Sequence, residues 1–578
     1  MQAVAAKATI VLGRRGYVIR KDALEAAELA RIREELTFTN GGEEVGGYGG
    51  GPPEQFAIYA ENMSKIYLPR YYGLRHYGEP EVIYYAVAAA DEKEAKEAKE
   101  AKEPLSLFTF KGTLRDYQQE AIRALFAHYA TDLGTGGILC MPCGFGKTRT
   151  TIYAIHKLQN MFVKDHQKVL KVLIVVHKEF LGQQWRENIE ELIPEARVGL
   201  IQAGRVDVAG KNVVIAMLQS LSMKEYPDAL FAQFDFAIFD ECHHLAAKVF
   251  SKALLRVGCR YLLGLSATPN RPDGCQEIFF LSIGPIVFKI DRADNDRALV
   301  HRIVVKSDNH EHYKETLNKF TGKRQLPTMI NDLCAFADRN QLLVEVMRTI
   351  LAFEEGRKII VLSSRRDDKH LKYFTALLTQ APIVKANGQV ATHGYYMGRQ
   401  AENKKKYQQS LKDTEGKDII LATMDLSKEG LDIKGLNTLI YATPIKGLER
   451  KKDLHGRPIE CHTTIEQSIG RILREPPAER RLVPLVIDIM DHFSNFVKWA
   501  YTRNAFYKKA KYPMTRHEVG LPVRHSGAQQ YDLSFLTRYE LFYADEATIA
   551  AAANGTMKED SSADSEDDGD GGGCMIVD

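Results

Sequence analysis

Eight consecutive residues, Met141-Pro-Cys-Gly-Phe-Gly-Lys-Thr148, and five more, Asp240-Glu-Cys-His-His244, hold the side chains best suited to chemistry in this chain. The first string is a glycine-rich loop between an apolar run (137 to 140) and a helical pattern (150 to 158). In that setting the loop Pro142-Cys143-Gly144-Phe145-Gly146 can wrap phosphates at a helix N-terminus, with the backbone N–H groups from Cys143 onward as donors and Lys147 reaching the β and γ phosphates. Thr148 can hold Mg²⁺ through its hydroxyl. The second string lies 93 residues after Lys147 and ends the apolar run Phe234 to Phe239, as a buried strand with a carboxylate pair at its edge would. Asp240 then takes the Mg²⁺ side, and Glu241 polarises a water for attack on the γ-phosphate. The chemistry implied is hydrolysis of a nucleoside triphosphate with Mg²⁺. A Met stands at position 141, where the phosphate-loop pattern calls for Gly.

Those groups need a sheet to hold them. From about 105 to 290 strand-like runs (172–176, 213–216, 236–239, 261–265) alternate with helical patterns, which predicts a parallel α/β domain. From about 335 to 500 the alternation returns at 358–362, 419–422, 438–442 and 483–489. Residues 1–90 read as an N-terminal α+β accessory domain, 91–104 as a charged Glu-Ala-Lys linker, 501–553 as a C-terminal extension and 554–578 as a disordered acidic tail. The expected fold class is therefore α/β, with two tandem parallel-sheet domains, an extra N-terminal domain and that tail.

The chain has 578 residues, 45% apolar and 26% charged, at a formal net charge of +3. That composition is typical of globular domains. Residues 558–578 carry one Lys and eight Asp/Glu, net −7, so the remainder carries +10 and suits a polyanionic partner. The eight Cys form no disulfide framework or paired metal spacing. The thiols are expected to be reduced in an intracellular, non-secreted protein. No run has the 18 to 20 apolar residues of a membrane span, so no membrane partner is expected.

The second α/β unit contributes Gln467-Ser-Ile-Gly-Arg471-Ile-Leu-Arg474. Arg471 and Arg474, three apart on a predicted helix face, could aim into a cleft between the units and neutralise the transferring phosphoryl group. The loop Thr423 to Ile433, with Thr423, Gly430 and Asp432, follows a strand and could touch both nucleotide and a nucleic-acid backbone. Arg365 and Arg366, directly after another strand, are candidate phosphate contacts. Trp185 is a candidate for stacking on a base, with a packing role as the alternative.

Six motifs in order, Leu114-Arg-Asp-Tyr-Gln118, Pro142 to Thr148, Asp240-Glu-Cys-His243, Ser266-Ala-Thr268, Glu429-Gly-Leu-Asp432 and Gln467 to Arg474, resemble those of superfamily-two helicases. Gly264 to Gly274 is similar to the xeroderma pigmentosum group B branch. Gly394 to Gly398, Ile487 to Phe496 and Arg503 to Lys509 resemble the helicases of large nucleocytoplasmic DNA viruses, the poxvirus transcript-release helicase among them. The resemblance implies that the two parallel-sheet domains are RecA-like, and it implies a 3′-to-5′ DNA-dependent ATPase acting around transcription or repair, with an RNA polymerase or transcription factor as partner. For a viral protein it implies residence in the virion and the host cytoplasm or nucleus. It implies that Gln118 reads adenine with Arg115 nearby, that His243 and Gln467 bridge the nucleotide to the interdomain face, and that Ser266 and Thr268 couple hydrolysis to strand movement. A translocase on duplex DNA that does not unwind, and a non-catalytic scaffold for nucleic acid and polymerase, are the alternative readings. The Arg-Glu-Asp element of some group B helicases is not visible, which leaves strand separation without its expected wedge.

Overall fold

The computed structural model describes residues 9–40, 54–84, 105–242, 252–254, 256–267, 276–292, 296–365, 370–396, 404–424, 433–452, 458–461, 463–521 and 531–554. The chain divides into two compact units, 1–291 with 450–461, and 292–449 with 462–578. His243, Thr268, Arg366, Gly430, Asp432, the whole linker and the acidic tail beyond Asn554 lie outside the described residues. Among the described residues no helix is long and apolar enough to cross a membrane.

The first unit begins with a small sheet in which β1 (Ile10–Gly13), β2 (Gly16–Arg20), β5 (Ala60–Glu61), β6 (Lys65–Leu68) and β7 (Val82–Tyr84) lie in the order β5-β6-β2-β1-β7. A separate pair, β3 (Thr37–Asn40) and β4 (Glu54–Ala57), and the helices α1 (Ala26–Glu35) and α2 (Arg70–Tyr77) complete it. This part is not an independent bead. Its Tyr17, Ile66 and Tyr72 share one apolar core with Ile278, Phe279 and Ile283 of the following domain. Arg70, 2% exposed, donates from Nη1 to the carbonyls of Gly134 (2.5 Å) and Arg260 (2.9 Å), and from Nη2 to that of Cys259 (2.6 Å). The Tyr71 hydroxyl accepts from the Gly136 N–H at 2.9 Å, at the start of the next sheet.

That sheet has eight strands: β8 (Gly136–Cys140), β9 (Val172–Val176), β10 (Val198–Gln202), β11 (Arg205–Asp207), β12 (Val213–Met217), β13 (Phe236–Phe239), β14 (Tyr261–Ser266) and β15 (Ile286–Lys289). Their order is β11-β10-β12-β9-β13-β14-β8-β15, and every neighbouring pair except β10/β11 is parallel. The strands β8, β9, β12 and β13 are buried along their whole length, as continuous apolar runs covered by helices on both faces should be. Helices α3 (Asp116–Thr131), α4 (Lys147–His166) and α5 (Glu179–Leu192) supply much of that cover.

The second unit is built on a fully parallel seven-stranded sheet: β16 (Leu299–Lys306), β17 (Ile359–Ser363), β18 (His393–Tyr396), β19 (Ile419–Thr423), β20 (Thr438–Tyr441), β23 (Leu485–Asp491) and β24 (Met514–Gly520), in the order β18-β19-β17-β20-β23-β16-β24. It is wider than the expected 335–500 span, because β16 and β24 come from outside it. A two-stranded sheet of β21 (Glu449–Lys452) and β22 (Pro458–Cys461) follows β20 in the chain, and its residues 450–461 belong to the first unit. Helices α6 (Leu326–Ala335), α7 (Ala337–Phe353), α8 (Thr463–Ile469) and α9 (Ser494–Lys509) share the apolar cores of the seven-stranded sheet.

Two buried ion pairs clamp this sheet to its helices. Arg339 of α7 meets Asp491 of β23 through two bonds of 2.7 and 2.9 Å, with both side chains fully buried, and its Nη1 also donates to the Ala442 carbonyl at 2.8 Å. Arg503 of α9 bonds Asp488 of the same strand at 2.9 Å and the Ile445 carbonyl at 2.5 Å. The viral-type segments 487–496 and 503–509 therefore supply structural locks. In α9, Tyr507 and Tyr512 beyond its end are buried while Lys508, Lys509 and Lys511 are exposed, so those aromatics are core residues and not base platforms.

Two outcomes test this packing. Arg339→Met leaves the Asp491 carboxylate buried without its cation and is expected to cost about 3–5 kcal/mol in denaturant unfolding of the second unit. Arg70→Met strands three carbonyls at the junction of the N-terminal sheet and is expected to cost about 2–4 kcal/mol. It should also expose the N-terminal part to limited proteolysis at protease levels the parent chain resists.

Candidate active site

The carboxyl ends of β8, β14 and β13 lie side by side, and the two sequence strings follow two of them. The N–H of Met141 donates to the Ser266 carbonyl (3.0 Å), continuing the β8/β14 ladder one residue past the strand. The Met141 side chain is fully buried in the core. Position 141 thus works as strand, where a Cβ is welcome, which accounts for its departure from Gly.

The turn begins after it. The Phe145 N–H donates to the Pro142 carbonyl at 3.3 Å. Gly144 and Gly146 hold φ of +88° and +74°, a left-handed geometry that suits glycine. A Cβ on Gly146 would also stand 2.4 Å from Nε2 of Gln118. Helix α4 starts at the next residue, Lys147, with Thr148 in its first turn, so the N–H groups of that turn, which have no acceptor within the helix, and the positive end of the helix lie at the loop.

Gln118 is buried, and its amide is already employed. Its oxygen accepts from the Arg115 N–H (2.9 Å) and its NH₂ donates to the Phe145 carbonyl (3.0 Å). The Tyr117 hydroxyl reaches the same carbonyl at 3.3 Å, and its ring lies 5.3 Å from that of Phe145. The start of α3 therefore shapes the phosphate loop from behind. Tyr117 escaped the sequence reading, although it sits beside Gln118 in the same motif.

Three charged side chains meet beside this loop. Lys147 Nζ lies 3.5 Å from a Glu241 carboxylate oxygen and donates to the Met141 carbonyl at 3.3 Å. Asp240 Oδ2 accepts from Trp185 Nε1 at 2.9 Å. The adjoining Glu241 N–H points at Asp240 Oδ1 (3.0 Å), and Glu241 itself sits at φ +47°, an uncommon left-handed position for a non-glycine residue at a functional site. Burial, followed by repulsion from Glu241, pushes the Asp240 carboxyl up to about 6, against the opposing pull of Trp185 and Lys147.

Asp240 and Glu241 set two carboxylates beside the head of α4. A divalent cation suits such oxygens, and Thr148, in the first turn of α4, is the residue that could join Asp240 in holding it.

Trp185 is 1% exposed and its indole N–H is committed to Asp240. The expectation that it stacks a base is thereby corrected: no ring face is available, and the residue instead positions the carboxylate. Thr423, at the end of β19, is also buried, which removes its side chain as a backbone contact in this arrangement. Arg365 is tied down by Asn331 Oδ1 (2.6 Å) and the Pro327 carbonyl (2.9 Å). Ser266 is fully buried at the end of β14.

In the second unit Gln467 lies on α8, but the helix stops at Ile469, so Arg471 and Arg474 stand on the turns beyond it and not on one helix face. Gly470 breaks the run, and the Arg471 N–H bonds back to the Ser468 carbonyl at 3.2 Å. Arg471 is buried and Arg474 half-buried. Arg292 and Arg480 fix these turns, each donating to the Leu473 carbonyl (3.2 and 3.1 Å) while pairing with buried Asp296.

The raised Asp240 pKa has a sign that can be measured. In the unfolded chain an Asp titrates near 4. The folded form therefore holds an extra proton between about pH 4 and 6 and loses stability as pH climbs through that window. Asp240→Asn is expected to stabilise the nucleotide-free protein at pH 7.5 by about 1–3 kcal/mol in thermal or denaturant unfolding, with the gain vanishing toward pH 4. The same variant should lose ATP turnover.

Two family models match the chain: that of the type III restriction enzyme res subunit over residues 111–271, and that of the helicase conserved C-terminal domain over 340–475. A protein of Acanthamoeba polyphaga mimivirus that carries the name ATP-dependent RNA helicase is 30% identical over 524 residues, 90% of this chain and 88% of its own. One of African swine fever virus with the same name is 24% identical over 464 residues, 75% of this chain and 81% of its own. A DNA 3′-5′ translocase of the archaeon Sulfurisphaera tokodaii is 32% identical over 188 residues, 32% of this chain and 38% of its own. The phosphate loop, the Asp-Glu pair and two parallel sheets thus occur in a chain that belongs to the superfamily-two ATP-dependent helicases and is related to those of large DNA viruses.

Proposed function

We propose that this chain is an ATP-dependent DNA helicase or translocase, acting without regard to sequence in viral transcription, at the release of transcripts, or in repair. The observation that carries the reading is the cluster of Lys147, Glu241 and Asp240 at the ends of parallel strands, beside a loop built to accept phosphate. In this scheme the loop N–H groups and Lys147 take the β and γ phosphates, and Lys147 leaves its contact with Glu241 to do so. Glu241 orients the attacking water and accepts its proton. Thr148 and Asp240 would hold Mg²⁺, which when bound supplies positive charge to the phosphoryl oxygens. Arg471 and Arg474 carry the arginine-finger role in the same proposal, and Gln118, through the second hydrogen and second lone pair that its two backbone bonds leave on the amide, makes with Arg115 the contact to adenine. His243, Ser266, Thr268, Gly430 and Asp432 keep their proposed parts in coupling and nucleotide binding.

DNA is preferred on the likeness of residues 264–274 to the group B branch and on the archaeal relative's name. A second reading, RNA as the track, is favoured by the names of the mimivirus and African swine fever virus relatives. One set of assays separates them: steady-state ATP hydrolysis alone and with single-stranded DNA, duplex DNA or RNA. Stimulation by DNA that falls about 100-fold or more in Glu241→Gln supports the main reading. Stimulation by RNA alone moves the assignment to the second. Hydrolysis no faster than that of the variant under every condition overturns both in favour of a scaffold.

A further inference from the structure

Between β16 and α6 the chain makes an excursion, residues 307–325, that the helicase motifs do not use. Its root is locked into the second unit's core. The Tyr313 hydroxyl donates to Asp491 Oδ1 at 2.8 Å, joining the Arg339–Asp491 pair, and its ring packs 4.8 Å from Phe493 and 5.8 Å from Phe336. His312 stacks on Phe336 at 4.8 Å and its Nδ1 lies 3.0 Å from the Asp332 carbonyl.

The excursion then narrows to a hairpin. The Gln325 N–H donates to the Thr316 carbonyl (2.7 Å), Leu317 bridges Arg324, and Arg324 pairs with Glu315 at 2.7 Å. At the tip the Asn318 N–H donates to the Lys323 carbonyl (2.8 Å) and the Gly322 N–H to the Asn318 carbonyl (2.9 Å). The Asn318 side-chain oxygen accepts from the N–H groups of Phe320 (2.9 Å) and Thr321 (3.0 Å), while Gly322 supplies the left-handed step at φ +65°.

This ordered turn presents Phe320, 97% exposed, at its end. A ring so placed cannot be explained as packing, and the bonds that hold its backbone keep it from folding back. Lys319 and Lys323 are exposed in the same turn, Lys314 is exposed at its root, and the acid nearest the neck, Glu315, is engaged by Arg324. Lysines of this density are disfavoured at the centre of protein–protein contacts. An aromatic face flanked by cations is instead the chemistry that stacks on a base and neutralises the phosphates beside it.

We propose that the Phe320 tip is a nucleic-acid contact that stacks on the exposed base at a junction between duplex and single strand, with Lys319 and Lys323 on the flanking phosphates. The inference rests on the reading of the chain as a nucleic-acid motor and would give it a strand-separating wedge in a place where the sequence shows no motif. Full-length protein with Phe320→Ala, Phe320→Trp and the double variant Lys319→Gln/Lys323→Gln tests it. Because the ring touches so little of the protein, Phe320→Ala should unfold at the parent temperature. Its affinity for a forked duplex carrying 2-aminopurine at the first unpaired position should fall about tenfold, with the quenching of that base lost. Phe320→Trp should restore both. The double Lys variant should flatten the salt dependence of binding by about two phosphates. Strand displacement should drop in Phe320→Ala while ATP hydrolysis stimulated by single strands stays at the parent rate. Fork affinity and 2-aminopurine signal unchanged in Phe320→Ala would overturn the assignment and leave the tip to another partner, a protein among them. A parent chain that binds neither DNA nor RNA would fail before any variant is compared, and that result overturns the functional reading itself.

Discussion

Two carboxylates and one ammonium forced together at the carboxyl ends of buried parallel strands set the terms for the first unit. Asp240 and Glu241 are neighbours in the chain, so no side-chain rotation can take them far apart, and the apolar strand behind them keeps water away. The raised Asp240 carboxyl expresses that conflict. It is a cost to the folded state that a phosphate-bound divalent cation would remove. An active site in this form stores instability that its ligands relieve, and the surrounding structure must be strong enough to hold it.

That strength comes from groups remote from the chemistry. Trp185 steadies Asp240 through one hydrogen bond from the core of α5. Gln118 and Tyr117 shape the phosphate loop by meeting the Phe145 carbonyl, and Arg70 seats the N-terminal sheet beneath β14 and the start of β8. In the second unit the Arg339–Asp491 and Arg503–Asp488 pairs cross-link helices to one central strand. Such buried pairs add little net stability compared with an apolar packing of equal shape, but they tolerate only one geometry. The Asp491 pair also fixes Tyr313, and through it the root of the exposed hairpin. One buried carboxylate thereby serves both the sheet and the surface feature farthest from it in character.

Much of this was legible in the chain. The buried strands of both parallel sheets announce themselves as apolar runs, and the observed β9, β12, β13, β17, β19 and β20 fall within about a residue of where the pattern puts them. One end of the second sheet was harder. Strands β16 and β24 contain Arg302, His301, Arg516 and His517 and do not read as strands until a sheet is there to pair with them. Arg471 and Arg474 read as a helical pair by spacing alone, yet Gly470 ends the helix and a carbonyl lock involving Arg292 and Arg480 shapes the turns on which both arginines stand. Trp185 illustrates the limit most plainly, since an indole reads the same in the chain whether it faces a nucleobase or an aspartate.

The sequence by itself determined the chemistry: a Gly-rich loop with Lys147 and Thr148, an Asp-Glu pair, and the strand–helix rhythm that carries them, because local pattern and residue type are enough for those. Tertiary structure alone decided which polar side chains were already spent. It assigned Gln118 to a carbonyl, Trp185 to Asp240 and Arg365 to Asn331, and it left Phe320 standing in water. Exposure and hydrogen-bond partners depend on residues tens to hundreds of positions away, and no local pattern contains them.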